Sequence, residues 1–316
     1  MTGYQATQED GAIGKAWAAR ITPRMHEFLC PDPKKGLLGK SGSHTVVCYD
    51  WHPAEGQNVR GTVLCVHGLT RNGHDFDYFA AALAEKGFRV LCPDVAGRGR
   101  SGWFENSKNY NYPAYCADML YVLDRLSIAK VDWVGTSMGG LMGMMVAASH
   151  PDRVKRLVIN DIGPFIPKSG LRRIGSTIGQ RVLFQSMQDG EDYLRRIMIT
   201  FGIRREDHWR HIAQFNFQRE PGGGLRIAYD PALAETFWHK GKQRKLPDMD
   251  FWKLWEKVTC PVLVLRGMES DILLTDTAER MARREGVKLV EFPGIGHAPM
   301  LMEDEQIAPV AEWLKN

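Results

Sequence analysis

The 316-residue chain is 44% hydrophobic and 25% charged, with a net charge of +4. That balance belongs to a soluble protein with apolar side chains enough for one large domain or two ordinary ones. It carries no run of about 18 apolar residues that would read as a membrane span, and its polar start, Met1-Thr2-Gly3-Tyr4-Gln5, meets Glu9 and Asp10 and does not read as a signal peptide.

The charge is uneven. Residues 164–255 carry 16 Lys/Arg against 10 Asp/Glu, a net +6, which leaves −2 for the rest. No basic block alternates with aromatics, so a solvated basic face is expected rather than nucleic-acid binding. The six cysteines (30, 48, 65, 92, 116 and 260) show no close pairing. Several lie in or beside apolar runs, and they read as reduced, buried thiols of a cytoplasmic protein rather than metal ligands or disulfides.

Residues 1–42 have no strong pattern. A short helix is conceivable over Ala12 to Ile21, prolines at 23, 31 and 33 interrupt the stretch after it, and the segment is expected to be a surface extension. From His44 to Asp50 the chain is strand-like, and Gly61 to Gly68 is a nearly continuous apolar run, as in a strand buried on both faces. A loop, Leu69-Thr70-Arg71-Asn72-Gly73-His74, leads to a helix over Asp75 to Glu85. Next come a strand from Arg89 to Asp94, a Gly-rich loop to Ser101 and a helix from Tyr112 to Leu126. Val131 to Val134 reads as a strand, a helix runs on from about Ser137, and Val154 to Asp161 is another strand. This alternation predicts parallel β-α-β units in a doubly wound, mostly parallel α/β sheet flanked by helices.

After Gly163-Pro164 the rhythm breaks into about ninety residues of helical spacing with many aromatics. It resumes with a strand over Cys260 to Gly267, a helix over Thr275 to Arg284, a strand over Val287 to Phe292 and a last helix from about Glu303 to Leu314. The expected organisation is an extension (1–42), a core (43–163 and 256–316) and an insert (164–255).

The chemistry centres on Gly135-Thr136-Ser137-Met138-Gly139. A Gly-x-Ser-x-Gly between strand and helix forces the serine out of the sheet with its hydroxyl exposed. Its neighbours lie too close to another backbone for a Cβ, and the first N–H groups of the new helix are free to hold a negative oxygen. Nucleophilic serine also needs a base, a group to orient that base, and a second oxyanion donor. Parallel sheets place such groups at the carboxyl ends of their strands. His297 comes after the last strand in Gly294-Ile295-Gly296-His297 and is the expected base. Asp271, after the preceding strand, is the expected orienting acid. Asp161, which also ends a strand, is the alternative, and Glu269 is the remaining candidate. Asp94 with Arg98 and Arg100 reads as a structural loop with an ion pair, because it lacks the Lys-Ser/Thr of a phosphate loop.

Over residues 44–316 the chain resembles the α/β-hydrolase fold superfamily. The resemblance rests on Val66-His67-Gly68-Leu69, the Asp94 to Ser101 loop, the serine turn, Arg266 to Asp271 and Gly296-His297. It also matches in the order Ser137, Asp271, His297. It implies an eight-stranded-type sheet, an inserted helical cap over 164–255, and oxyanion donors at the N–H groups of Leu69 and Met138. His67, Arg71 and His74 become possible substrate contacts, with His67 expected to shape the oxyanion loop. The implied activity is a serine hydrolase cleaving a small carboxylic ester, thioester or lactone, with no cofactor or metal. The same triad can serve C–C hydrolases, cofactor-free haloperoxidases or perhydrolases, and acyltransferases. A ligand-binding protein that kept the fold and lost turnover is the non-enzymatic alternative.

Overall fold

The computed structural model describes residues 21–33, 42–178 and 182–315. Its centre is an eight-stranded sheet: β1 (Arg24–Pro31), β2 (Ser43–Trp51), β3 (Gly61–Val66), β4 (Phe88–Pro93), β5 (Val131–Thr136), β6 (Val154–Asn160), β7 (Val262–Gly267) and β8 (Val287–Phe292). The spatial order is β1-β2-β4-β3-β5-β6-β7-β8. All pairings from β4 to β8 are parallel, and β2 runs antiparallel to both β1 and β4.

Alternation along each strand decides which layer it feeds. In β3, Leu64 and Val66 join one apolar cluster with Met119, Val122, Leu141 and Met144. Those partners come from helices α2 (Tyr112–Arg125) and α3 (Met138–Ser149). Val63 and Cys65 point the other way, to Phe79, Leu83, Val310 and Leu314 of α1 (Asp77–Glu85) and the last helix (Asp304–Lys315). Helices thus cover both faces, which is why a central strand such as β7 carries a continuous apolar run: Val262, Leu263, Val264 and Leu265 are all fully buried. At roughly 1.5–3 kcal/mol for each such side chain, these strands are the main source of cohesion.

The reading of residues 1–42 as a surface extension is corrected in part. Residues 24–31 form an edge strand paired residue for residue with β2, from Arg24 opposite Asp50 to Pro31 opposite Ser43. Pro31 closes the strand, where a missing N–H is tolerated on an edge. The helix anticipated over Ala12 to Ile21 lies almost wholly outside the described residues.

Between β6 and β7 the chain builds helices α4 (Lys168–Thr177), α5 (Met187–Ile197), α6 (Glu206–Asn216) and α7 (Trp252–Trp255). It also forms small two-stranded ribbons that the helical spacing did not announce, such as Phe217–Arg219 with Leu225–Ile227. Phe184, Tyr193, Trp209 and Phe217 pack with Leu194, Met198, Ile212 and Met300 into a cluster of their own. Hydrogen bonds join the insert to several loops at the carboxyl edge of the parallel strands. Asn72 donates to the Phe215 carbonyl, Gly99 N–H to Ala228 and Gly296 N–H to Thr200. Arg173 pairs with Asp271. No helix among the described residues is long and apolar enough to cross a membrane.

Candidate active site

The turn after β5 is built by close backbone approach. A Cβ on Gly135 would lie 2.2 Å from the Gly139 carbonyl oxygen, and one on Gly139 would lie 1.9 Å from that of Val66. Only glycine fits either place. Between them Ser137 takes φ 52°, ψ −112°, a positive-φ conformation that an L-residue adopts only when its surroundings impose it. Its N–H is held by the Asn160 carbonyl at 2.9 Å.

His297 reaches this serine from the loop after β8. Its Nε2 is 2.9 Å from Ser137 Oγ, and its Nδ1 is 2.8 Å from Asp161 Oδ2. Gly267 allows that approach, since a Cβ there would sit 2.3 Å from the Gly296 carbonyl oxygen. Asn160 ties the same loop to the sheet, donating from Nδ2 to the Pro299 carbonyl at 2.8 Å and to Thr136 Oγ1 at 3.0 Å.

The acid expected to orient the imidazole was Asp271, and the structure corrects this. Asp161, at the end of β6, stands on His297 and is fully buried. Its Oδ1 accepts from Gly267 N–H at 2.8 Å, and its Oδ2 accepts from Ser270 Oγ at 2.5 Å as well as from His297. It is Ser270, one residue before Asp271, that turns inward. Its hydroxyl also receives the N–H groups of Ile272 and Leu273. Asp271 points away, 44% exposed, and pairs through both oxygens with Arg173. Partial burial works against its ionisation, but the bonds from Arg173 outweigh that and hold its carboxyl below the usual range. Glu269 makes no side-chain contact with the imidazole among the described residues.

On the far side of the serine, the His67-Gly68-Leu69 turn is fixed at both of its peptides. The Val95 N–H donates to His67 Nε2 at 2.9 Å, which leaves the proton on Nδ1 to donate to the Gly68 carbonyl at 2.7 Å. Full burial, with the nearby cations Arg98 and Arg71, drives the imidazole pKa down to about 3 against the pull of the Gly68 carbonyl. Holding the Gly68 carbonyl fixes the plane of the peptide whose N–H belongs to Leu69. Leu69 N–H and Met138 N–H both lack a hydrogen-bond acceptor among the described residues. Free donors of this kind beside a nucleophile are what a developing oxyanion requires.

The three polar candidates on this stretch of chain separate. His67 is wholly enclosed, and both of its ring nitrogens are bonded to backbone groups. His74 is committed to Asp77 at 2.8 Å, stacks on Phe215 at 3.7 Å between centroids, and lines neither of the two pockets described next. Arg71, although held by Asp75 through two bonds, does line a small pocket with Thr70, Ile178, Tyr193, Leu194 and Tyr229. A larger cleft of about 730 Å³ lies beyond, bordered by Trp103, Leu183 and Arg226 and sharing Ile227 and Tyr229 with the small pocket. None of the Ser137, His297 and Asp161 side chains lines it.

The ion pair expected of Asp94 with Arg98 and Arg100 does not form. Asp94 instead accepts from the backbone of Gly73 and Arg100 and from the Tyr49 hydroxyl, while Arg98 reaches toward the oxyanion loop. All six cysteines are free thiols.

Comparison with known proteins agrees with this architecture. The family model for the alpha/beta hydrolase fold matches residues 61–177. The 3-hydroxybutyrate-oligomer hydrolase of Cupriavidus necator is 39% identical over 293 residues, covering 91% of this chain and 96% of that protein. The chain belongs to the α/β-hydrolase family. It is a hydrolase of that fold. An esterase of Mycobacterium tuberculosis is 28% identical over 73% of this chain and 76% of its own. Among solved structures, an alpha/beta hydrolase from Novosphingobium aromaticivorans superposes with a TM-score of 0.78 at 32% identity, over 93% of this chain and 98% of that one.

Proposed function

We propose that this α/β-hydrolase is a serine esterase acting on short oligomers of 3-hydroxybutyrate through an acyl-enzyme on Ser137. The observation that carries the reading is the continuous Ser137–His297–Asp161 hydrogen-bond chain. The substrate class is taken from the Cupriavidus necator relative, whose likeness runs through nearly the whole of both chains.

In this reading His297 Nε2 takes the Ser137 proton as Oγ attacks the ester carbonyl. Asp161 accepts from Nδ1–H and stabilises the imidazolium that results. The N–H groups of Leu69 and Met138 receive the oxyanion, and one such donor contributes about 3–4 kcal/mol to the transition state. Collapse expels the alcohol end of the next hydroxybutyrate unit, which leaves with the proton from His297. Water, deprotonated by the same nitrogen, then frees the acid. Residues 164–255 act as the cap, and Tyr193 and Tyr229 of that insert line a small pocket together with Arg71 of the oxyanion loop.

The test is hydrolysis of the linear 3-hydroxybutyrate dimer and trimer, read by chromatography of the monomer, together with labelling by a fluorophosphonate. Wild type is expected to release monomer and to be labelled once, at Ser137. Ser137→Ala is expected to melt like wild type and to do neither. Retained turnover in that variant would sink the nucleophile assignment. Labelling of Ser137 without release of monomer would reject the oligomer and point to another acyl substrate.

A further inference from the structure

We infer that Arg98 is a positioning residue for the oxyanion hole, and that its charge acts on the same developing oxygen. The inference rests on the serine-ester reading above, in which Leu69 and Met138 supply the two donors.

Arg98 lies in the loop after β4, far in sequence from Ser137, and is completely buried. Each nitrogen of its guanidinium has a different task. Nε donates to the Leu69 carbonyl at 2.8 Å, and Nη1 donates to the Ala96 carbonyl at 2.7 Å. Nη2 lies 3.5 Å from the Met138 thioether sulfur. One rigid fork therefore touches both residues whose N–H groups face the oxyanion, and ties them to the loop that carries it. Leu69 is then held from two sides, with His67 on the preceding carbonyl and Arg98 on its own.

The charge of this side chain is unusual in its setting. A buried guanidinium is ordinarily paired with a carboxylate, because an unpaired one is costly to desolvate. Among the described residues no carboxylate lies within 4.0 Å of Arg98. Its partners are carbonyl oxygens, a sulfur and the faces of Tyr115 and Tyr110, at 4.7 and 5.9 Å to the ring centroids. The acid nearest in the network, Asp230, is one step removed and occupied by the Tyr110 hydroxyl. A neutral side chain could have filled this space at lower desolvation cost. A fixed cation immediately behind two oxyanion donors, in a site of low dielectric, favours the one species in the cycle with a negative oxygen. It does little for the neutral ester, so its effect falls on kcat rather than on KM.

The experiment compares wild type with Arg98→Lys and Arg98→Met on p-nitrophenyl butyrate. It measures kcat, KM and the inhibition constant of a trifluoromethyl ketone, which forms a tetrahedral oxyanion on the serine. Arg98→Met is expected to lose about 100-fold in kcat with KM within threefold. The ketone should weaken in proportion to kcat/KM, while melting and the far-ultraviolet spectrum stay those of a folded protein. Arg98→Lys, which keeps the charge but cannot span the three acceptors, should recover about tenfold of that loss. A residue that merely braces the fold would not make analogue affinity and kcat/KM move together. Kinetics within threefold of wild type in both variants, or a loss confined to KM, overturn the inference. If Arg98→Met does not fold, Arg98→Lys decides alone: a loss of kcat below threefold overturns it. A wild type that fluorophosphonate does not label at Ser137 brings down the serine reading itself. A labelled wild type with indifferent Arg98 variants brings down only this inference.

Discussion

Replacing Asp161 by asparagine discriminates most sharply between the acid that the structure selects and the acid that the sequence suggested. The side chain is enclosed, and both oxygens accept: Oδ1 from Gly267 N–H, Oδ2 from Ser270 Oγ and His297 Nδ1. In Asp161→Asn the amide oxygen must keep the Gly267 donor, because an amide nitrogen there would oppose an N–H. The NH₂ then falls at the Oδ2 position. Ser270 Oγ already accepts from Ile272 and Leu273 and loses the acceptor for its own proton, while His297 Nδ1 faces a donor and must become an acceptor. The ring proton moves to Nε2, where it points at Ser137 and can no longer receive the serine proton. Loss of the right tautomer, together with the carboxylate that stabilises the imidazolium, is expected to lower kcat by about 10⁴, or about 5.5 kcal/mol at 1.36 kcal/mol per decade. Asp271→Asn removes only a half-exposed pair with Arg173. Such pairs contribute up to about 1 kcal/mol, and kcat is expected to stay within about threefold. The assay is steady-state hydrolysis of p-nitrophenyl butyrate and of the 3-hydroxybutyrate dimer at pH 8, with melting curves for both variants. If Asp271→Asn lost more than 100-fold while Asp161→Asn kept most of its activity, the geometric argument would be refuted.

The same loops yield two further predictions. His67 is neutral in the fold, with its pKa driven down to about 3, whereas the unfolded chain protonates it near 6.5; the unfolded state therefore binds the extra proton, and stability falls as pH drops from about 6.5 toward 3, by as much as about 5 kcal/mol. Urea midpoints between pH 7 and pH 4 should decline more steeply for wild type than for His67→Gln, and equal slopes would remove the histidine from the acid response. Gly139→Ala would put a methyl 1.9 Å from the Val66 carbonyl oxygen, so β3 and the serine turn must separate; at least a 100-fold loss of fluorophosphonate labelling rate is expected, and labelling within threefold of wild type would show that the turn tolerates a Cβ.

The parallel strands from β3 onward and the meeting of Ser137 with His297 were legible because each is written locally. An apolar run leading into a turn of small residues specifies a buried strand, and glycines at 135 and 139 have one steric reason to be there. The orienting acid was not local. Asp161 and Asp271 both come after a strand and both lie between Ser137 and His297 in the chain, so order cannot separate them. What separates them is the direction of a side chain leaving the sheet, set at Asp161 by a left-handed φ of 55° and at residue 271 by a turn that aims Ser270 inward instead. The guanidinium of Arg173 in the insert, nearly a hundred residues away, then takes Asp271. The only signal in the sequence was the run Asn160-Asp161-Ile162-Gly163-Pro164, which stops the strand abruptly enough to leave its acid at the edge. Strand β1 was missed for a related reason. Three prolines suggested a broken segment, but Pro31 stands at a strand end on the sheet edge, and the pairing partner that makes the strand is a separate stretch of chain.

Two of the five non-glycine residues with positive φ among the described residues stand at this site. Ser137 and Asp161 both have positive φ without being glycine, 52° and 55°, and each such residue costs roughly 1–2 kcal/mol. They sit at the ends of adjacent strands, and the sheet itself extends past those ends to hold them. Ser137 N–H bonds to Asn160 O, Asp161 N–H to Leu265 O, and Gly267 N–H to the Asp161 carboxylate. Each strained residue is thus fixed by the next strand over, in a series running from β5 to β6 to β7. His297 arrives last, from beyond β8, over the glycine that ends β7. The strain at Ser137 is supported by the same parallel register that places Asp161. A change that slipped β6 against β7 would therefore misplace Asp161 and release Ser137 together, and activity would disappear before the remaining core had lost its packing.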